Sequence, residues 1–126
     1  MDASIERVIE HIERYTEAGD RLIERLELQR RWNLEDVERL KVGATIGKTT
    51  KATRSADRSR DLTRILSEFE QSRREIRAAV VVAALEEGLS ISEIAEIFGV
   101  SRQLANRFAR DAHALLARAE RSDATG

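Results

Sequence analysis

Apolar residues recur along this chain every three or four positions and nowhere at every second one. The pattern therefore predicts helices throughout and no sheet. From the N-terminus, Ile5, Val8, Ile12, Tyr15, Gly19, Leu22 and Leu26 step alternately by three and four, with Ile9 and Ile23 widening the stripe. That is a heptad seam, the pattern of helices that wind around one another. The step runs through Gly19, which predicts one helix over about residues 3–31, although a glycine in a helix interior costs roughly 1 kcal/mol relative to alanine. Such a seam either joins two copies of the chain or packs within one; pairing is the reading taken here.

Asn33 then reads as an N-cap, with Glu35 and Asp36 in the first turn, where the helix dipole favours acid. Leu34, Val37, Leu40 and Ala44 mark one face of a helix over about 34–45, closed by Gly43 and Gly47. Residues 48–60 (KTTKATRSADRSR) have no apolar period and read as a basic linker or the frayed start of the next helix. Helical spacing returns at Leu62, Ile65, Leu66 and Phe69, lapses at Ser72 and Arg73, and resumes at Ile76, Val80, Ala83 and Ala84. The lapse predicts a domain boundary inside one long helix that Gly88 ends. Ser90-Ile91-Ser92-Glu93 has the form of a capping box, and Ser101 that of an N-cap after Gly99. A last helix is expected from Arg102 to about Ala119, with residues 122–126 as a tail. The expected fold is all-α. A coiled-coil-like dimerisation region, 1–71, precedes a three-helix unit, 72–121.

Composition agrees with long, solvent-laced helices: charged residues are 36% of the chain, aromatics 4%, and there is no proline. The absence of cysteine excludes disulfides and thiolate metal sites. The longest apolar run, Ala78 to Leu85, is about half the ~18 residues of a membrane span. The opening MDASIERVIE is acidic and unlike a secretory signal, so a cytoplasmic protein is expected. The net charge of −1 conceals a strong polarity: residues 48–64 carry +4 and 101–126 carry +2, against −3 over 1–47 and −4 over 65–100. A neutral total with local basic faces is compatible with a polyanionic partner.

The positive C-terminal region begins within SISEIAEIFGVSRQLANRFAR, residues 90–110, at its second half. Ala95 falls where one short helix would face the next, near Ala105, and a large side chain there would force the two apart. Gly99 falls in the connecting turn, where positive φ is expected and glycine adopts it readily. Ile94, Phe98, Val100, Leu104 and Phe108 supply the inner faces, and Ile76, Val80 and Ala83 of the preceding helix a third wall. Over roughly residues 74–118 the chain resembles the helix-turn-helix families of bacterial transcriptional regulators, and the similar units of resolvases and sigma-factor-type domains. It departs from them at Ala105, where a larger β-branched residue is usual. The inner seam is then smaller, with Leu104 or Phe108 to fill it.

The resemblance implies roles for particular side chains. Ser101, Arg102, Gln103, Asn106 and Arg107 take the early, outward positions of a recognition helix. Gln103, Asn106 and Arg107 share one face, and their types make two-pronged hydrogen bonds to base edges. Arg102, assigned here to base edges, and Arg110, assigned to phosphate, suit either partner. Ser90, Ser92 and Ser101 stand at helix N-termini, where hydroxyls and unpaired N–H groups hold phosphate. Lys48, Lys51 and Arg54, with Arg58 and Arg60, form either a basic arm on the phosphate backbone or a solvated linker.

Other patterns lead nowhere. Gly43-Ala44-Thr45-Ile46-Gly47-Lys48-Thr49 has three residues between its glycines where a phosphate-binding loop needs four, and no strand before it. His11 and His113 lack a patterned partner and read as helix-surface residues. Glu10 and Glu13 belong to a wet face. Trp32 and Tyr15 read as packing anchors. No nucleophile-and-base set is visible, so no enzyme, cofactor, metal or nucleotide is expected. The expectation is a dimeric, sequence-specific binder of double-stranded DNA, repressor-like and nucleoid-associated, with no membrane partner. Its rivals are a DNA-organising or partition factor with little base preference and a helical interaction adaptor.

Overall fold

The computed structural model describes residues 1–125, and among them every regular element is a helix. In chain order these are α1 (Ala3–Lys41), α2 (Ile46–Ala52), α3 (Ser55–Glu86), α4 (Ile91–Phe98) and α5 (Arg102–Thr125). No helix among the described residues is long and apolar enough to cross a membrane.

Three expected boundaries are corrected. α1 does not stop near residue 31 and restart after Asn33; it runs unbroken to Lys41. Asn33 caps nothing: its Oδ1 accepts a hydrogen bond from Gln29 Nε2 at 3.1 Å, one turn back on the same helix. With no glycine or proline from Asp20 to Val42, propagation of an existing helix outweighs a new start. α1 ends instead at Gly43, φ +100°. There Ala44 N–H donates to Arg39 C=O at 3.0 Å and Gly43 N–H to Leu40 C=O at 3.1 Å, the paired bonds of a Schellman close.

The segment expected as a linker, 48–60, is helical for most of its length. Thr45 caps α2, its side chain accepting from Lys48 N–H at 3.1 Å, and α3 opens at Ser55 after a bend at Thr53-Arg54. Small polar residues lack an apolar period, yet they satisfy a cap and short turns, and the period alone did not reveal them. At the other end α5 continues to Thr125, so residues 122–125 of the expected tail are helix; Gly126 lies outside the described residues.

The chain divides into two compact units. The first combines residues 1–15 with 71–125, the second is 16–70, and both divisions fall inside helices, α1 and α3. The expected division had placed all of 1–71 together. The first unit gathers the opening turns of α1 because they bind to its helices: Ser4 hydrogen-bonds Glu86, Arg7 pairs with Glu120 at 3.1 Å, and Arg14 pairs with Asp123. His11, expected on the surface, is 3% exposed, and its Nδ1 has no hydrogen-bond partner.

The core of the first unit is built from small residues. Ala78, Ala79, Val81, Val82 and Ala84 of α3 meet Ile94 and Ala95 of α4 and Ala105, Ala112 and Leu116 of α5. Small side chains let helix backbones approach closely, and larger ones, Phe98, Phe108 and Leu115, close the margins. In the second unit Ala18 and Ile65 are buried, together with Thr49 and Arg58. The α1 seam is less buried than its pattern implies. Val8, Tyr15 and Leu22 are half-buried, but Ile12 and Leu26 are exposed, while Ser4, His11 and Ala18, seven apart, are the buried line.

Candidate functional site

The C-terminal part of the first unit builds a projecting helix on a small bracket. α3 closes at Gly88, where Leu89 N–H donates to Ala84 C=O and Gly88 N–H to Leu85 C=O, each at 3.0 Å. Two residues later the capping box is complete. Ser90 Oγ accepts from Glu93 N–H at 3.1 Å, and Glu93 Oε1 accepts from Ser90 N–H at 3.1 Å. α4 is two turns long and ends at Gly99 in the left-handed region, φ +63° and ψ +38°. Val100 N–H donates back to Ala95 C=O at 3.0 Å, which turns the chain sharply. Ser101 then caps α5, its Oγ accepting from Leu104 N–H at 3.1 Å. Only Gly99, Val100 and Ser101 separate the two helices.

Close packing of α4 on α5 rests on the residues the spacing selected. Ala95 and Ala105 are both buried, Ala105 completely, and Ile94 fills the space beside them. The small seam at Ala105 is made up at its edge by an aromatic pair. Phe98 and Phe108 meet edge to face, with centroids 5.9 Å apart and ring planes at 87°. Such a pair adds about 0.5–1.5 kcal/mol beyond its buried area. From α3, Arg77 places its guanidinium 4.0 Å from the centroid of the Phe108 ring, so three helices converge on one side chain.

The opposite face of α5 is bare. Arg102, Gln103, Asn106, Arg107 and Arg110 are all exposed, while Leu104, Ala105, Phe108, Ala109 and Ala112 turn inward. Ser90, Ser92 and Ser101 are exposed at the two helix starts. The Oγ atoms of Ser90 and Ser101 accept from their own helices, which leaves each O–H proton available to an external acceptor. The structure thus brings together eight of the predicted residues in the first unit: Ser90, Ser92, Ser101, Arg102, Gln103, Asn106, Arg107 and Arg110. Lys48, Lys51 and Arg54 belong to the second unit, exposed on α2 and the bend after it. Of the rest of that basic segment, Arg58 is buried, and Arg60 pairs with Asp57 at 2.6 Å, as Arg54 does at 2.8 Å.

One group was not anticipated from the sequence. Arg74 and Arg77 of α3 line a groove with Leu104, Arg107, Phe108 and Asp111 of α5, which adds cations beside the exposed helix face. Their signal was present as a basic run, RREIR at residues 73–77, around the third-wall residue Ile76, but the apolar period marks only the inward side of that helix.

Residues 71–114 match the model of the homeodomain-like domain, a family of helix-turn-helix folds. No curated protein matches the chain, and no solved structure matches it.

Proposed function

We propose that this chain is a sequence-specific binder of double-stranded DNA that acts as a dimeric, repressor-like transcriptional regulator. The homeodomain-like match makes duplex DNA the natural partner. The observation that carries the reading is the division of α5. Its inner side is held by Ala105, Phe108 and Ala112, and four hydrogen-bonding side chains, Arg102, Gln103, Asn106 and Arg107, stand exposed on its first two turns. A major groove about 12 Å wide admits one helix, and the N-terminal turns of that helix reach the base edges. Gln103 and Asn106 suit adenine, Arg107 suits guanine, and Arg102 extends the same row. Ser90, Ser92, Ser101 and Arg110 hold the flanking phosphates and set the register. Lys48 and Lys51, with Arg54, extend the electrostatic contact as a basic arm.

Pairing of two copies would present two α5 helices to half-sites about 34 Å apart, one helical turn along the duplex. Ile23, Leu26, Leu34, Val37 and Leu40, exposed on the α1 segment of the second unit, support such pairing. Occupancy of the site then blocks transcription sterically.

The test is selection of bound duplexes from a random pool, then mobility shift with Gln103→Ala and Arg107→Ala. Each variant is expected to lose about 1–3 kcal/mol, roughly 5- to 150-fold in affinity, and to relax preference at one base position. Full affinity and unchanged preference in both variants would refute the assignment. A specific-to-nonspecific ratio near unity in the parent protein would replace regulation with DNA organisation. Light scattering tests the dimer: Leu26→Glu with Val37→Glu is expected to halve the mass, and a parent protein that is already monomeric overturns the pairing. Lys48→Gln with Lys51→Gln should lower the salt slope by about two phosphates if the arm engages, and leave it unchanged if it does not.

A further inference from the structure

In the second unit α1 has two different sides. Its inward line meets α3, where Arg25 pairs with Asp61 and Asp36 accepts from Arg58 at 3.0 Å. Trp32 on that side borders a cleft of about 530 Å³ lined by three arginines and three carboxylates, so its charge is balanced. The outward side carries a seam. Ile23, Leu26, Val37 and Leu40 are between 40% and 57% exposed, and Arg30 and Asn33 stand exposed between the two apolar pairs. Four large apolar side chains in one exposed row are unusual on a monomer and call for a cover.

The order of these six positions has a symmetry. Their spacing is three, four, three, four, three, and the types read apolar, apolar, polar, polar, apolar, apolar from either end. Two copies laid antiparallel about a two-fold axis between Arg31 and Trp32 therefore match at every layer. Ile23 faces Leu40 of the second copy, Leu26 faces Val37, and Arg30 faces Asn33. Laid parallel, each position faces itself, and two Arg30 guanidiniums meet inside an apolar seam, where like charges repel at reduced dielectric. Sliding the antiparallel pair by one heptad in either direction sets Arg30 and Asn33 against apolar side chains, which desolvates them without partners.

The polar groups favour the same arrangement. Asn33 Oδ1 accepts one hydrogen bond, from Gln29, and keeps a second lone pair for a guanidinium. Among the described residues the side chains of Arg30 and Glu27 have no hydrogen bond or ion pair. Beside the seam, antiparallel pairing brings Glu27 of each copy to Lys41 of the other, whose own contact is with Glu38 at 3.7 Å. Parallel pairing would offer Lys41 to Asp36 instead, which Arg58 already holds on the inward side.

We infer that the outward seam of α1 pairs two copies of this chain antiparallel, Ile23 on Leu40 and Leu26 on Val37, with a central Arg30–Asn33 layer that fixes the register. Polar residues at seam positions are the means by which paired helices specify register, at a cost in stability. The inference rests on the dimer reading above and adds its direction and alignment.

The chain contains no cysteine, so an introduced thiol is unique. Ile23→Cys and Leu40→Cys are made separately in the full-length protein and studied at concentrations where the parent is dimeric. Each is oxidised alone and as an equal mixture, after time for the copies to exchange. A disulfide needs Cβ atoms about 3.8 Å apart, so only facing positions link readily. The mixture is expected to form a covalent dimer roughly tenfold faster than either variant alone, with one chain of each kind in the product. Leu26→Cys with Val37→Cys repeats the comparison one layer inward, so the result does not hang on the packing of one pair. Linking of each variant to itself at the rate of the mixture means parallel pairing, and no linking in any sample means another seam. Either result overturns the inference while light scattering of the parent keeps the dimer. A monomeric parent overturns the dimer itself, and this inference with it.

Discussion

Arg77 on α3 lies with its guanidinium 4.0 Å from the ring centroid of Phe108 on α5, and Phe108 meets Phe98 of α4 edge to face. One aromatic ring thus ties the supporting helix to both arms of the helix-turn-helix. Cation–π attraction and the packing of the arginine stem each contribute, together about 1 kcal/mol. Arg77→Ala is expected to lower the melting temperature by a few degrees, read by circular dichroism. Phe108→Leu, which removes both ring contacts, should cost more.

Gly99 sits at φ +63° with no atom beyond its own chain neighbours within 4 Å of where a Cβ would stand. Any penalty for substitution there is therefore backbone strain, not crowding. Gly99→Ala should destabilise by about 1–2 kcal/mol, and Gly99→Asn by less, since asparagine tolerates the left-handed region. Denaturant midpoints of the two variants give the comparison; equal costs would point to a packing effect instead.

Gly19 presents the opposite case. It lies inside α1, outside the left-handed region, and a Cβ there would meet Phe69 Cε2 at 3.7 Å, an ordinary contact. Gly19→Ala is expected to stabilise the protein by up to about 1 kcal/mol through lower chain entropy and better helix propensity. A rise in the urea midpoint at unchanged slope is the measurement.

Asp57, in the first turn of α3, has its carboxyl held below the ordinary range by hydrogen bonds from Arg60 first and Arg54 second. A carboxylate with a depressed folded-state pKa contributes stability above its unfolded value and loses it as pH falls through the folded one. NMR titration should place the Asp57 midpoint below that of a model aspartate, and Arg60→Gln should move it upward. No movement in that variant would assign the shift to other neighbours.

The candidate site was legible in the sequence to an unusual degree because each of its parts is short-range. The Ser90–Glu93 box, the Gly99 turn and the Ser101 cap each need only a few neighbouring residues and the local backbone. The inward and outward sides of α5 follow from helical period alone. Arg74 and Arg77 escaped notice because their place beside α5 depends on how α3 crosses it, which no local pattern encodes.

The N-terminal half was less legible for the same reason. Asn33 has the composition of a cap, yet Gln29 takes its side chain and α1 runs on. Residues 48–60 look like a linker, yet Thr45 starts a helix there and Arg58 is drawn under Trp32. His11 sits among charges in sequence but among buried neighbours in space.

What the chain alone determined was the helical class, the stop of α3, the start and stop of α4 and the start of α5, and the exposed residues Arg102, Gln103, Asn106 and Arg107, because these arise from backbone geometry and periodicity over a few turns. What only the tertiary structure decided was the division of α1 and α3 between two units, the burial of His11 and Arg58, and the cleft beside Trp32. Those depend on which distant residues meet, and polar residues carry no periodic signal that says whether they will face water or one another.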